Sequence, residues 1–200
     1  MTESHQTRPQ QPVPGTGAPV RVSVISGPTA VGKGTVVARL KELHPEVYVS
    51  VSATTRAPRP GEIDGVHYHF LTEQQFDQLV AGDGLLEWAV VHGRNRYGTL
   101  RRPVDEAVAR GEAVVLEIDL QGARQVRQSY PQAQQIFLEP PSWEELVRRL
   151  VGRGTETPAQ QERRLVTARE ELARMGEFDH VVVNREIDQT VQDLVGLLGL

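Results

Sequence analysis

Glycines, a lysine and a hydroxyl stand at fixed spacing in Gly27-Pro28-Thr29-Ala30-Val31-Gly32-Lys33-Gly34-Thr35. The combination suits a polyphosphate. Gly27 and Gly32 allow backbone angles that bulkier residues resist, so several N–H groups can converge on one phosphate. Lys33 adds a mobile cation that can follow the terminal phosphates. The strict pattern has Ser or Thr directly after the lysine. Here Gly34 stands there and the hydroxyl comes one residue later, at Thr35. A metal ion travelling with the polyphosphate is therefore expected to be held through water and phosphate oxygens, with Thr35 and Asp119 as indirect contacts. The competing reading is a glycine-rich strand-to-helix turn with a chance lysine.

Three further groups of charged residues could act on anions or on a base. Arg56 and Arg59 lie beside Ser52, Thr54 and Thr55 in a stretch rich in Pro and Gly. Guanidinium forks bond phosphate in a bidentate manner, which suggests a second anion site, against the alternative of a solvated basic loop. Arg149, Arg153 and Arg164 flank or sit in a glycine-containing loop near residue 154, with Arg148 and Arg163 alongside as plain helix-surface charges. A mobile arginine loop suits phosphoryl transfer, where charge must be neutralised and water kept out. Glu87 lies inside the apolar run Leu85–Val91. An unpaired buried carboxylate is costly, so Glu87 is expected to face a ligand or a basic partner. A carboxylate accepts two parallel hydrogen bonds, and the pairing edge of guanine, unlike that of adenine, offers the two donors. Asp119 ends an apolar strand, either near a nucleotide-bound metal or as the cap of the helix that follows. No Cys/His or HExxH spacing points to a metal centre, and His67, His69, Trp88 and Trp143 read as ordinary structural residues.

Apolar periodicity supplies the elements that must position these groups. Val20–Ser26 reads as a buried strand feeding the glycine loop, followed by a helix through Val36, Val37, Leu40 and Leu43. Val47–Val51 alternates as a strand and runs into a loop from Ser52 to Glu62. Val66–Phe70 reads as a strand, and Thr72 with Gln75 as a capping box. Leu85–Val91 is a strand, and a turn from Gly93 to Thr99 leads to a helix ending near Arg110. Ala113–Asp119 and Gln135–Leu138 are buried strands. Ser142 opens a helix to Val151, Thr157 and Pro158 open another to Met175, and the strand Val181–Asn184 precedes a C-terminal helix. Strands alternating with helices imply an α/β fold with a mainly parallel sheet flanked by helices, interrupted by an antiparallel lobe between Ser52 and Thr99. Ligands bind such sheets beyond the strands' carboxyl ends, where the glycine loop, Asp119 and Asn184 fall.

With 200 residues, one domain with a full core is expected. The net charge of −4 gives no general signal for nucleic acid, and the absence of cysteine excludes disulfides and thiolate chemistry. No apolar run approaches the ~20 residues of a membrane span. Residues 1–19, rich in Gln, Pro, Thr and Gly, read as a disordered tail with no secretion signal. A cytoplasmic location is the expectation.

Read together, the blocks resemble the guanylate kinase family from Val20 to the C-terminus. They are Ser26–Thr35, Ser50–Glu62, Gly65–Phe70, Leu86–Ala89, Tyr97–Thr99, Glu117–Gly122, Gly152–Thr157 and Val183–Asn184. The resemblance implies a P-loop nucleoside monophosphate kinase that moves the γ-phosphoryl group of ATP to GMP, or to its deoxy form, with Mg²⁺. It also implies a core (20–51, 100–140 and 166–200), a GMP-binding lobe (52–99) and a lid (141–165). Residues Gly27 to Thr35 would bind ATP, with Asn184 near adenine. Arg56, Arg59, Tyr68 and Tyr97 would hold the GMP phosphate, and Ser52, Glu87, Thr99 and Asp119 would read guanine or support the site. Lys33, Arg56, Arg149, Arg153 and Arg164 would be catalytic. One departure stands out: the turn before Tyr97 is one residue longer than the family's usual Gly-Asn-Tyr-Tyr, with Arg96 in place of the first tyrosine. Two other readings compete. One is a kinase-like interaction module that binds peptides; the intact glycines, Lys33 and Arg153 weigh against it. The other is a kinase of the same core acting on another acceptor, such as a sugar phosphate.

Overall fold

The computed structural model describes residues 21–91, 94–152 and 157–200. Its centre is β1 (Val22–Ser26), buried along its whole length. Beside it lie β2 (Tyr48–Val49), β7 (Val114–Glu117), β8 (Gln134–Glu139) and β9 (His180–Val183) in the order β2-β7-β1-β8-β9, every pairing parallel. Side chains on a strand alternate between faces, and both faces of this sheet are covered. Ile25, Val115, Ile136 and Leu138 pack against α1 (Lys33–Leu43), α5 (Trp143–Val151), α6 (Pro158–Ala173) and α7 (Ile187–Leu198). Val22, Val24, Val114 and Leu116 pack against α3 (Arg101–Ala109) and α4 (Leu120–Ser129). Strand order reverses at β1, so a crevice opens where the glycine loop leaves it.

The second sheet holds β3 (Ser52–Thr54), β4 (His69–Phe70), β5 (Leu85–Val91) and β6 (Asn95–Leu100) in the order β4-β3-β6-β5. Its back face, with Ala53 and Trp88, packs on Phe76 of α2 (Glu73–Ala81). Thr72 and Gln75 form the expected capping box, as do Thr157 and Gln160 at the start of α6, with Pro158 in the first turn.

The structure departs from the periodicity in the second sheet. Ser52–Thr54 is a strand, not the start of a loop, because it bonds β6 on one side and β4 on the other. The stretch expected to be a turn before Thr99 is mostly β6, pulled extended by pairing with β3 and β5. Only His69–Phe70 of the expected Val66–Phe70 strand is a strand, and Gly65 turns the chain ahead of it at φ +75°. The β3–β4 pairing is parallel, so this sheet is mixed and not purely antiparallel.

Candidate active site

The glycine loop is fixed by close packing before any ligand is considered. Gly27 lies at φ +149°, and a Cβ there would stand 2.5 Å from the Leu138 carbonyl oxygen of β8. Gly32 lies at φ +100° as the left-handed N-cap of α1. A Cβ on it would stand 2.9 Å from Asn184 Nδ2. Neither position admits a side chain. The helix start has no side-chain cap and no acid in its first turn. Its amides therefore carry the positive end of the helix dipole toward the loop, as an anion site requires.

Side chains from distant segments hold the loop backbone. The Val31 carbonyl accepts from Asn184 Nδ2 at 2.8 Å and from Arg149 Nη1 at 3.0 Å. Thr190 Oγ1 donates to Asn184 Oδ1 at 3.1 Å, which orients the amide. Arg149 is itself steadied by Glu145, 2.8 Å from its Nε. From α6, Glu171 Oε2 accepts the Thr29 amide at 3.1 Å, and Arg164 donates to the Thr29 hydroxyl. Lys33 Nζ donates to the carbonyls of Gly27, at 2.6 Å, and Pro28, at 3.3 Å. Asn184 is thus a buried brace of the loop as well as a wall of the adjoining cavity, of about 920 Å³, which Ala30, Thr35, Arg39 and Asp188 also line.

Two acids that the sequence reading did not single out face this loop. Glu117 ends β7 in register with Ile25, and its carboxylate would lie 3.5 Å from a Cβ on Gly34. Burial pushes its pKa up while Lys33 pulls it down. Glu171 behaves alike: burial raises it, and the Thr29 amide, Lys33 and Arg164 oppose the rise. The acid against Gly34 is therefore Glu117, whereas Asp119 is the N-cap of α4, its Oδ1 accepting from the Gly122 amide at 2.7 Å. The clue for Glu117 was available: it ends the same apolar run as Asp119. The clue for Glu171, on a mainly exposed helix, was not.

On the front face of the second sheet, directly paired residues put side chains on one side. Ser52 pairs with Thr99 and Thr99 with Glu87, so the three stand in a row. Glu87 is buried, and Thr99 Oγ1 donates to its Oε1 at 2.7 Å. Burial, aided by the charge of Asp119 and opposed by Thr99, pushes the Glu87 pKa up to about 7. One row along, about 7 Å away, Tyr97 pairs with Thr54. The Tyr97 hydroxyl lies 3.2 Å from Arg56 Nε, and the Arg56 guanidinium lies over the rings of Tyr68 at 5.3 Å and Phe70 at 5.8 Å. Tyr68 meets Tyr97 edge-on at 5.9 Å.

The outer side of Arg56 is held by Glu62, another residue the sequence reading passed over. Its two oxygens accept from Arg56 at 2.9 and 2.8 Å, and one also accepts the Arg59 amide at 2.6 Å. Arg56, the Arg59 amide and the nearby Arg59 charge hold the Glu62 pKa down to about 2. The Arg59 side chain is exposed beside this cluster. Arg96 turns to the back of the sheet. It bonds Asp77 and Glu73 of α2 and lies 4.6 Å over Phe76. Tyr97 keeps its place on the front face.

The structure therefore gathers Gly27 to Lys33, Arg149, Arg164 and Asn184 around the loop, with Gly34 against Glu117 and Thr35 in the cavity wall. It gathers Ser52, Arg56, Tyr68, Glu87, Tyr97 and Thr99 on the front of the second sheet, with Asp119 at the seam. Arg153 lies outside the described residues. Arg148 pairs with Glu145, and Arg163 is exposed on α6. Among the described residues no helix is long and apolar enough to cross a membrane.

The chain is similar to known proteins in sequence and fold. The guanylate kinase family model matches residues 19–199. The guanylate kinase of Cutibacterium acnes is 66% identical over 91% of this chain and 92% of its own length. That of Streptomyces coelicolor is 56% identical over 96% and 97%. A crystal structure of guanylate kinase from Anaplasma phagocytophilum superposes with a TM-score of 0.69 at 32% identity, covering 90% of this chain and 86% of that one. The chain belongs to the guanylate kinase family, the ATP:GMP phosphotransferases of the P-loop kinase fold.

Proposed function

We propose that the loop holds ATP, that the front face of the second sheet holds GMP, and that the γ-phosphoryl group passes between them. The observation that carries this is one face presenting both a buried carboxylate and a tyrosine-flanked arginine. Glu87 would accept guanine's ring N–H and amino group, with Ser52, Thr99 and Asp119 beside it. Arg56, Tyr68, Tyr97 and Arg59 would hold the nucleotide's phosphate.

The chemistry needs no general base. The GMP phosphate is already an anionic nucleophile; one of its oxygens forms a bond to the γ-phosphorus as the bond to the ADP oxygen breaks, and ADP leaves with the electron pair. Catalysis is then alignment and charge neutralisation. Lys33 and the loop amides would meet the ATP phosphates, and Arg149 and Arg164, with Arg153, would neutralise charge at the transferred group. As a lid, residues 141–165 would exclude water and so limit ATP hydrolysis.

Among the described residues no cluster of three or more His, Asp or Glu side chains could hold a metal by itself. Mg²⁺ commonly keeps several waters and takes only one or two protein carboxylates beside substrate phosphates, and this donor set fits that habit. Glu117 beside Gly34, with Thr35 and Asp119 further off, would meet it through water. When bound it supplies positive charge to the ATP phosphates.

ADP release from ATP and Mg²⁺ tests the assignment, with GMP, AMP, CMP and UMP offered separately. Turnover with GMP alone is expected. A folded sample that turns over none of them favours the peptide-binding reading, and turnover with a different acceptor replaces GMP.

A further inference from the structure

Strand β5 carries Glu87 at the outer edge of its sheet, where its backbone groups have no neighbouring strand among the described residues. Helix α4 takes that place. Gln125 Oε1 accepts the Trp88 amide at 3.1 Å, and Gln125 Nε2 donates to the Trp88 carbonyl at 2.9 Å. One side-chain amide thus bonds both backbone groups of a residue, as a paired strand would. A turn later, Ser129 Oγ donates to the Leu86 carbonyl at 2.5 Å. The two bonded residues lie on either side of Glu87.

The strand is irregular at this point. Leu85 pairs with Leu100, but Glu87 pairs with Thr99, so Leu86 is the extra residue of a bulge. Bulges re-aim the side chain that follows them. Ser129 holds the bulge and Gln125 holds the residue beyond it. Gly122, Gln125 and Ser129 fall on one helical face, at spacings of three and four. A Cβ on Gly122 would come 3.0 Å from Glu87 Oε2, so the same face leaves room for the carboxylate. Asp119, whose charge acts on Glu87, caps the same helix.

We propose that Gln125 is a positioning residue for guanine: by clasping Trp88 at the sheet edge it fixes the aim of the Glu87 carboxylate. This rests on the reading of Glu87 as the guanine acceptor. A carboxylate aimed at two donors in parallel tolerates little rotation, so a loosened strand costs most for the nucleotide that uses both. IMP has the ring N–H of guanine but lacks the 2-amino group. Gln125 therefore sets the preference for GMP over IMP without touching either.

The test is Gln125→Met, which keeps the side chain's length and packing but has no amide to bond Trp88, assayed with GMP and IMP at saturating ATP. The kcat/KM for GMP is expected to fall roughly tenfold and that for IMP about threefold or less, with the KM for ATP close to wild type and the melting temperature lowered by a few degrees from the two lost bonds to Trp88. In a Glu87→Gln background the same substitution is expected to leave the GMP:IMP ratio unchanged, since the group being aimed is gone. Equal losses for GMP and IMP, or no loss, overturn the positioning role. Should Gln125→Met fail to fold, Gln125→Leu, which also lacks an amide to bond Trp88, is read by the same ratio, and an unchanged ratio overturns the proposal. A wild-type protein that does not phosphorylate GMP removes the functional reading itself; wild-type turnover with an unchanged ratio removes only the role of Gln125.

Discussion

The phosphate loop and the front face of the second sheet are built from opposite materials. In the loop the groups offered to an anion are backbone amides and one lysine, and side chains from far along the chain steady the backbone: Asn184 and Arg149 on Val31, Glu171 and Arg164 on Thr29. On the sheet the offered groups are side chains, and the backbone, with its register and bulge, sets their aim. A backbone site tolerates little change in its own residues but reads only charge. A side-chain site can discriminate one base from another, at the cost of depending on many supporting contacts. Damage to the loop should therefore abolish turnover, whereas damage to the sheet face should change which acceptor is used and how tightly.

The largest effect is expected for Lys33→Ala, with kcat down by about 10³-fold or more and an unchanged far-ultraviolet circular dichroism spectrum. Wild-type turnover in that variant would break the assignment of the loop. Arg56→Ala should follow, at roughly a hundredfold in kcat/KM for GMP with ATP affinity retained, because one cation is removed from the acceptor phosphate alone. Glu62→Gln tests the support instead of the contact. It keeps the size of the side chain but weakens the brace on Arg56, so the KM for GMP should rise by about tenfold while kcat moves little. An equal change in the KM for ATP would show that Glu62 acts on the whole fold.

The pH dependence separates the two regions again. Burial raises the Glu87 carboxyl to about 7, above the ordinary value of 4.5. The unliganded protein therefore loses stability as pH rises from the ordinary carboxylate range through about 7. Guanine's donors favour the ionised form, so GMP affinity should rise from pH 6 to 8 by a few-fold, measured by titration calorimetry, and Glu87→Gln should keep only the shallower rise that comes from the second ionisation of the GMP phosphate, near pH ~6. Glu62 lies on the other side of its ordinary value. Held down to about 2, it stays ionised throughout this window, and the brace on Arg56 is lost only as pH falls toward 2. ATP affinity should show no such step near pH 7. The smallest effect among the substitutions is expected for Asn184→Ala, a rise of about threefold in the KM for ATP from loss of one donor to Val31, read beside an unchanged KM for GMP.

The difference in materials also explains what could be read in advance. The loop was legible because its chemistry is local: glycines, lysine, a strand before and a helix after, all within one short stretch. The parallel sheet followed from the alternation of apolar strands and helices. That Glu87 stands out was legible because a carboxylate inside an apolar run is costly, and the structure buries it. What supports these residues was not legible. Asn184 bonding Val31 spans most of the chain, Glu171 lies on a helix with a mainly exposed surface, and Gln125 reads as one more polar helical residue until β5 is placed beside it. Periodicity also gave the wrong local structure around Ser52 and Asn95–Thr99, where pairing between strands overrides turn-like composition. Glu62 could have been found, since it lies three residues after Arg59 in a turn closed by proline and glycine.

Direct binding by calorimetry to two variants in parallel, Glu87→Gln and Lys33→Ala, each titrated separately with GMP and with ATP, tests the division between the two regions most directly. The account predicts a crossed result: Glu87→Gln weakens GMP by at least about tenfold and leaves ATP as in wild type, whereas Lys33→Ala weakens ATP and leaves GMP. Equal losses of both nucleotides in either variant would contradict it.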